Sequence, residues 1–347
     1  MKIHPANMNF AYISKHRLFL YGFAALWIMF FHFCTKIPPM GILTPLRYIQ
    51  DAGACGVDMF LLLSGFGLYN SMAKCTSAGE FYKKRFLRVY LPAVMVMSLY
   101  YILMDDSVLD YLACSTFLGY WIGMDVEWFI GFIMTMYLIY PFLYMVQKKK
   151  SRIMYLFLML SLTFSFLAET WYVPMNLLRG ISRIPIFLFG CILAPCFAEK
   201  KQIPKWVFPA AVLISICLTA VWAGFDLYVR YYRYYFFLHA LLFFAYSVVL
   251  VLLLCSIAEW FLHCKFCRGI YRCIAFCGVF SLEIYLLYER ALVITEFLPG
   301  FESDPFSFVK RDLASIAITL VFSVVLQQVT RWVIAAFESV KLPKAEV

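Results

Sequence analysis

Across 347 residues the chain is 64% hydrophobic and 14% charged, with a mean hydropathy of +0.81, a balance that excludes an ordinary soluble globular domain. Apolar runs near twenty residues long recur with charges gathered between them, as in helices that cross a bilayer. Continuous Leu, Phe, Ile and Val runs exclude a transmembrane β-barrel, whose strands alternate in polarity. The expected fold is all-α, a polytopic integral membrane protein of about ten transmembrane helices.

In chain order, spans are expected around residues 17–35, 54–72, 86–104, 128–146, 152–168, 182–198, 206–223, 235–258, 272–292 and 312–336. The stretch 109–124 is also apolar, but Asp110, Gly119, Gly123 and Asp125 favour a re-entrant or interfacial segment. The first apolar stretch follows Lys15, His16 and Arg17; it is too long for a signal-peptide core and precedes no small-residue cleavage site, so it is read as a span. One membrane domain over 17–336 is expected between an N-terminal segment 1–16 and a C-terminal tail 337–347.

Lys and Arg are unevenly shared between alternate loops. With the N-terminus inside, 21 of the 30 fall on the inner face, including Lys74, Lys83, Lys84, Arg85 and Arg88, whereas the loop 105–127 has none and carries Asp105, Asp106, Asp110, Asp125 and Glu127. The positive-inside rule therefore predicts cytoplasmic termini in a plasma (inner) membrane protein in contact with lipid. It also accounts for the +10 net charge without a nucleic-acid partner. The 12 cysteines are scattered through spans and loops and read as small buried residues. The one cluster, His263, Cys264, Cys267, Cys273 and Cys277, has only five residues between its two cysteine pairs. That is short for a zinc ribbon, and no metal is expected.

Ionisable residues at membrane depth are costly and usually face a cavity or a partner. His32 lies about 22 Å along a helix from Arg17, toward the outer end of the first span. Asp58 enters the second span from that same side. A carboxylate that orients an imidazole, with the imidazole taking a proton from a hydroxyl, is the arrangement general-base acyl transfer needs. The structural reading of the same residues, an interfacial histidine and a helix-capping aspartate, is equally open on these two alone.

The stretch 21–33, ending at His32, and the run Gly56-Val57-Asp58-Met59-Phe60-Leu61-Leu62-Leu63-Ser64-Gly65-Phe66 resemble the acyltransferase-3 family of membrane O-acyltransferases. Further similarity follows in Phe81-Tyr82-Lys83-Lys84-Arg85-Phe86-Leu87-Arg88, in Trp128-Phe129-Ile130 with Tyr137 to Pro141, in Arg183 to Gly190, and in Ser281 to Leu286. The resemblance implies transfer of an acyl group, commonly acetyl from cytoplasmic acetyl-CoA, to a hydroxyl of a cell-surface polysaccharide or lipid-linked glycan. No permanently bound cofactor is implied; acetyl-CoA or another acyl-CoA is the donor substrate. His32 would be the catalytic base and Asp58 its orienting partner. Arg85 and Arg88, with Arg17, would bind the coenzyme A phosphates at the cytoplasmic mouth. Tyr21 stands where the family has an arginine, and Arg17 is one turn away on the same face. Tyr288 stands where a later motif often has histidine. Tyr21, Arg183 and Glu283 are expected near substrate, and Glu127, Glu289 and Arg290 are further polar positions for an acceptor cavity. Two other readings fit the same pattern. A glycan or acyl transporter or flippase would need neither Arg85 nor Arg88, and an inactive relative would fit the tyrosine at position 21.

Overall fold

The computed structural model describes residues 10–38, 41–104, 107–124, 127–198, 202–204, 206–228, 235–297 and 307–339. The ends of the expected terminal segments, 1–9 and 340–347, lie outside the described residues, as do Asp105, Asp106 and Asp125. Among the described residues the elements are helices, with no strand. The principal ones are α1 (Arg17–His32), α2 (Cys55–Ala73), α3 (Leu91–Met104), α4 (Trp128–Lys149), α5 (Ser151–Thr170), α6 (Met175–Ile181), α7 (Ile184–Ala198), α8 (Val207–Tyr228), α9 (Tyr235–His263), α10 (Arg268–Val279), α11 (Ser281–Glu296) and α12 (Ser307–Ser339).

Among the described residues, seven helical stretches are long and apolar enough to cross a membrane, or eight if the bent pair α10–α11 counts as one span. The expected count of ten is not reached on those criteria. The spans expected at 17–35 and 206–223 correspond to shorter apolar helices, Arg17–His32 and Pro209–Val221. At 16 residues, α1 is about 24 Å long, less than the hydrocarbon thickness of roughly 30 Å. The span expected at 272–292 is also not one straight rod, because α10 and α11 meet at 81°. Glycine contact fixes the first arm of that bend. A Cβ on Gly278 would overlap the Leu18 carbonyl, and one on Gly22 the Ile274 carbonyl, so α10 lies backbone to backbone on α1. The apolar stretch 109–124 forms two short helices, Val108–Ser115 and Leu118–Trp121. Phe117 between them adopts left-handed φ, as does Gly123 after them, and neither helix is long enough to span.

Lipid, rather than water, is the solvent these helices are built for. On α12 the buried positions are Asp312, Ser315, Thr319, Ser323 and Thr330, while Leu313, Val321, Phe322 and Val325 are exposed. On α5, Ser161 and Ser165 are buried, and Leu156, Met159 and Leu160 are exposed. A soluble helix shows the reverse arrangement. Burial also ranks the helices: 78% of the most apolar window in Thr44–Ala73 is buried, against 22% in Ser151–Thr170 and in Ser307–Ser339. α2 is therefore central, with α5 and α12 at the periphery.

Small residues let neighbours approach α2, as is usual where helices associate without a hydrophobic drive. A Cβ on Gly65 would overlap the Phe187 carbonyl of α7, and one on Gly190 the Leu62 carbonyl of α2. The contact is reciprocal, and the buried Gln147 side chain bonds the Cys191 carbonyl at 2.5 Å beside it. Gly67, two residues along and so on the opposite face of α2, has open space where a Cβ would be. Gly65→Val should therefore lower the thermal stability of the detergent-solubilised protein by about 1–3 kcal/mol through overpacking, whereas Gly67→Val should leave it unchanged; equal melting temperatures for the two variants would sink this account of the seam.

Candidate active site

The end of α1 is tied down immediately beyond His32. The Asp312 carboxylate accepts from the Cys34 and Thr35 amides at 2.8 and 2.9 Å. Gln50, fully buried, donates to the Phe30 and Thr35 carbonyls and accepts from the Ile37 amide. These bonds replace the helical hydrogen bonds that α1 loses at its C-terminus. They also fix the direction in which His32 points.

His32 lines a cavity of about 680 Å³. Its wall collects the ends of many helices: Tyr100 and Tyr101 of α3, Glu127 and Trp128 at the start of α4, Arg179 of α6, Arg183 before α7, His239 of α9, and Tyr285, Tyr288, Glu289 and Arg290 of α11. Arg47 and Asp51, from the short helix Thr44–Asp51, complete the charged lining.

The carboxylate beside His32 is Glu289, not Asp58. His32 Nδ1 lies 3.3 Å from Glu289 Oε1, and the Tyr288 hydroxyl donates to that same oxygen at 3.1 Å. The Tyr288 ring flanks the imidazole, with centroids 4.9 Å apart. Asp58 is buried and its Oδ2 faces Arg183 Nε at 3.5 Å. The expected His32–Asp58 dyad is therefore corrected. Asp58 is instead occupied in holding the arginine that immediately precedes α7.

A second carboxylate is more heavily bound. Glu127 receives Arg290 at 2.7 Å and the Tyr285 hydroxyl at 2.8 Å. The Arg183 guanidinium lies over the Trp128 ring at 5.1 Å, and that of Arg290 over Tyr100 at 5.9 Å. Aromatic faces and polar groups thus alternate around the cavity, and His32 is one-third exposed within it. Such a wall suits a hydroxyl-rich molecule, whose C–H faces stack on rings while its hydroxyls meet charged partners.

The other expected residues gather toward the end of the bundle that bears Lys74, Lys83 and Lys84. Pro92 cannot donate to the carbonyl four residues earlier, and the chain opens into a π-helical turn over Phe86–Tyr90 that contains Arg88. Arg88 is exposed and lies within electrostatic range of Tyr21 and Glu283. Arg85 bonds the Ser71 hydroxyl and stacks between Phe81 and Tyr137 at 5.4 and 5.5 Å. Among the described residues its buried Nε has no hydrogen-bond partner. Arg17 lines a separate recess of about 330 Å³ with Ser14, Asn70 and Lys74. Tyr21 stacks on Phe60, and Glu283 is buried; neither lines the His32 cavity. The structure thus brings His32 and Arg183 together and leaves Tyr21, Glu283, Arg17, Arg85 and Arg88 elsewhere. At the end of α9, His263 Nδ1 donates to the Glu259 carbonyl at 2.8 Å.

A family model for the acyltransferase domain, acyltransferase-3, matches residues 20–328. The chain belongs to the acyltransferase-3 family. With its apolar helices, it is a multi-pass membrane acyltransferase. No curated protein and no solved structure matches it. The family match covers every cavity residue named above and leaves Arg17 just outside.

Sequence reasoning had noted Glu127, Glu289 and Arg290 and missed Arg47, Asp51, Arg179 and His239. Arg47 and Asp51 precede the second expected span, and Arg179 precedes the sixth, where a charge by itself signals no site. The Glu127–Arg290 pair can be tested directly. Glu127→Gln should destabilise the protein by up to about 3 kcal/mol by leaving a buried guanidinium with only the more distant Glu289 carboxylate, at 4.0 Å, and Arg290→Met in the same chain should restore part of that loss. Additive losses in the double variant, read from thermal unfolding in detergent, would count against the pairing.

Proposed function

We propose that this acyltransferase moves an acyl group, acetyl in the first instance, from acyl-CoA to a hydroxyl of a cell-surface polysaccharide or lipid-linked glycan, with His32 as general base. The observation that carries the reading is His32 itself, which opens onto a cavity large enough for a saccharide with a carboxylate against its Nδ1. Glu289 holding Nδ1 leaves Nε2 as the nitrogen to receive a proton. Glu289 is a positioning residue and takes the role the sequence reading had given to Asp58.

The step balances without any other reagent. As the acceptor oxygen attacks the thioester carbonyl, its proton passes to His32 Nε2. The tetrahedral intermediate then collapses, the carbon–sulfur bond breaks, and the departing thiolate takes the proton from the imidazolium. The products are an O-acyl glycan and free coenzyme A. Arg183, stacked on Trp128 and fixed by Asp58, is a suitable contact for the acceptor or the developing oxyanion.

The donor would enter from the opposite, lysine-rich end, taken as cytoplasmic on the positive-inside rule. Arg85 and Arg88, together with Arg17 and Lys74, supply cations for the coenzyme A phosphates. His32 lies about 22 Å from Arg17 along α1, a distance comparable to an extended phosphopantetheine arm. Tyr21 would border that route, near Arg17 and Arg88.

Transfer of radiolabelled acetyl from acetyl-CoA to surface glycan, in membranes matched for protein level, tests the assignment. His32→Ala should reduce the rate by about 10²–10⁴-fold. Glu289→Gln should reduce it by about ten- to a thousandfold and alter its pH profile. Arg85→Ala and Arg88→Ala should raise the donor KM. Asp58→Asn should change protein level without changing the shape of the pH profile. Label transfer indifferent to His32→Ala would refute the mechanism.

A further inference from the structure

Among the described residues, every arginine in the cavity wall except one has a carboxylate. Arg47 Nε lies 2.5 Å from Asp51, Arg183 Nε 3.5 Å from Asp58, and Arg290 Nη1 2.7 Å from Glu127. Among the described residues Arg179 has no carboxylate within ion-pair distance. Its guanidinium is held by one neutral contact, Nη1 to Asn176 Oδ1 at 3.0 Å. Asn176 is buried and anchored in turn, its Nδ2 donating to the Met124 carbonyl at 2.8 Å. Arg179 is thus aimed without a carboxylate in direct contact. It is half-buried in the wall and close enough to His32 and Glu289 to act on both electrostatically.

A cation in a partly dehydrated wall is costly unless something pairs with it. Evenly neutralised charges would suit a neutral sugar; here the protein neutralises three guanidiniums and leaves the fourth turned to the space where the substrate would sit. A guanidinium offers two parallel donors, the geometry of a carboxylate or a phosphate oxygen pair. We propose that Arg179 is a specificity residue that binds an anionic group of the acceptor, so that the acceptor is an acidic saccharide. The identification of the cavity as the acceptor site rests on the reading above; the charge preference of the cavity is measured independently of turnover.

Binding to the full-length protein in lipid nanodiscs separates the two questions. The probes are trigalacturonate, a phosphorylated galactose trisaccharide, the neutral galactose trisaccharide, and free coenzyme A. Wild type should bind at least one acidic probe about tenfold or more tighter than the neutral one, and the stronger of the two identifies carboxylate or phosphate as the group recognised. Arg179→Gln should abolish the preference, Arg179→Lys should keep part of it, and His32→Ala should keep all of it. Arg179→Glu should instead favour a glucosamine trisaccharide, a gain that misfolding cannot mimic. Equal affinity of wild type for acidic and neutral probes, a preference that survives Arg179→Gln, or no saccharide binding at all would overturn the proposal. So would a loss confined to coenzyme A, which would assign Arg179 to the donor. An intact preference in a protein that transfers no label would instead overturn the acyltransfer mechanism and leave the anion site standing.

Discussion

Charge pairing inside an apolar bundle is the constraint on which the rest of this structure depends. A polar cavity at membrane depth can persist only if the ions in its wall are compensated, because an unpaired charge in a weakly polar medium shifts its protonation or collapses the site. Glu127 with Arg290, Asp58 with Arg183 and Arg47 with Asp51 provide that compensation. Each of the first two pairs joins helices distant in sequence, so the same contacts that keep the cavity open also hold α4 against α11 and α2 against the start of α7.

Glycine contacts supply the complementary half of the design. Burial of apolar surface drives little helix association where lipid tails are as apolar as leucine. Close backbone approach at Gly65 and Gly190, and at Gly22 and Gly278, instead gives dense van der Waals contact. These seams place α2 at the centre and turn the polar stripes of α5 and α12 inward. The cavity is therefore a product of helix ends brought level by packing, and His32 reaches it because Asp312 and Gln50 stop α1 at that height.

The two ends of the bundle divide the chemistry. At one end aromatic rings, carboxylates and arginines surround an imidazole; at the other, lysines and arginines stand near the π-helical turn forced by Pro92. Two substrates of different character, a hydroxyl-rich acceptor and a phosphate-bearing donor, fit such a division, and no residue has to serve both.

The helical, membrane-spanning character was legible in the sequence because it depends on summed local transfer free energies, which need no knowledge of neighbours. The family was legible in the local order of residues around Asp58 and Ser64, and the facing of His32 into a cavity in the cost of an ionisable group within an apolar run. The pairing was not legible. Asp58 and Glu289 are both carboxylates at a suitable depth, and only the rotation and tilt of α2 and α11 decide which one meets His32. The bend at the α10–α11 junction was hidden for a similar reason, since the run 273–282 is continuously apolar or small across the break and the glycine that presses α10 onto α1 signals nothing by itself. Arg179 was invisible as well, because whether a guanidinium is neutralised depends on which carboxylates other helices bring within a few ångströms. Sequence determined the solvent, the helices and the reactive residue types; tertiary packing decided their partners, because electrostatic contacts at 3 to 4 Å are set by helix geometry that no single segment contains.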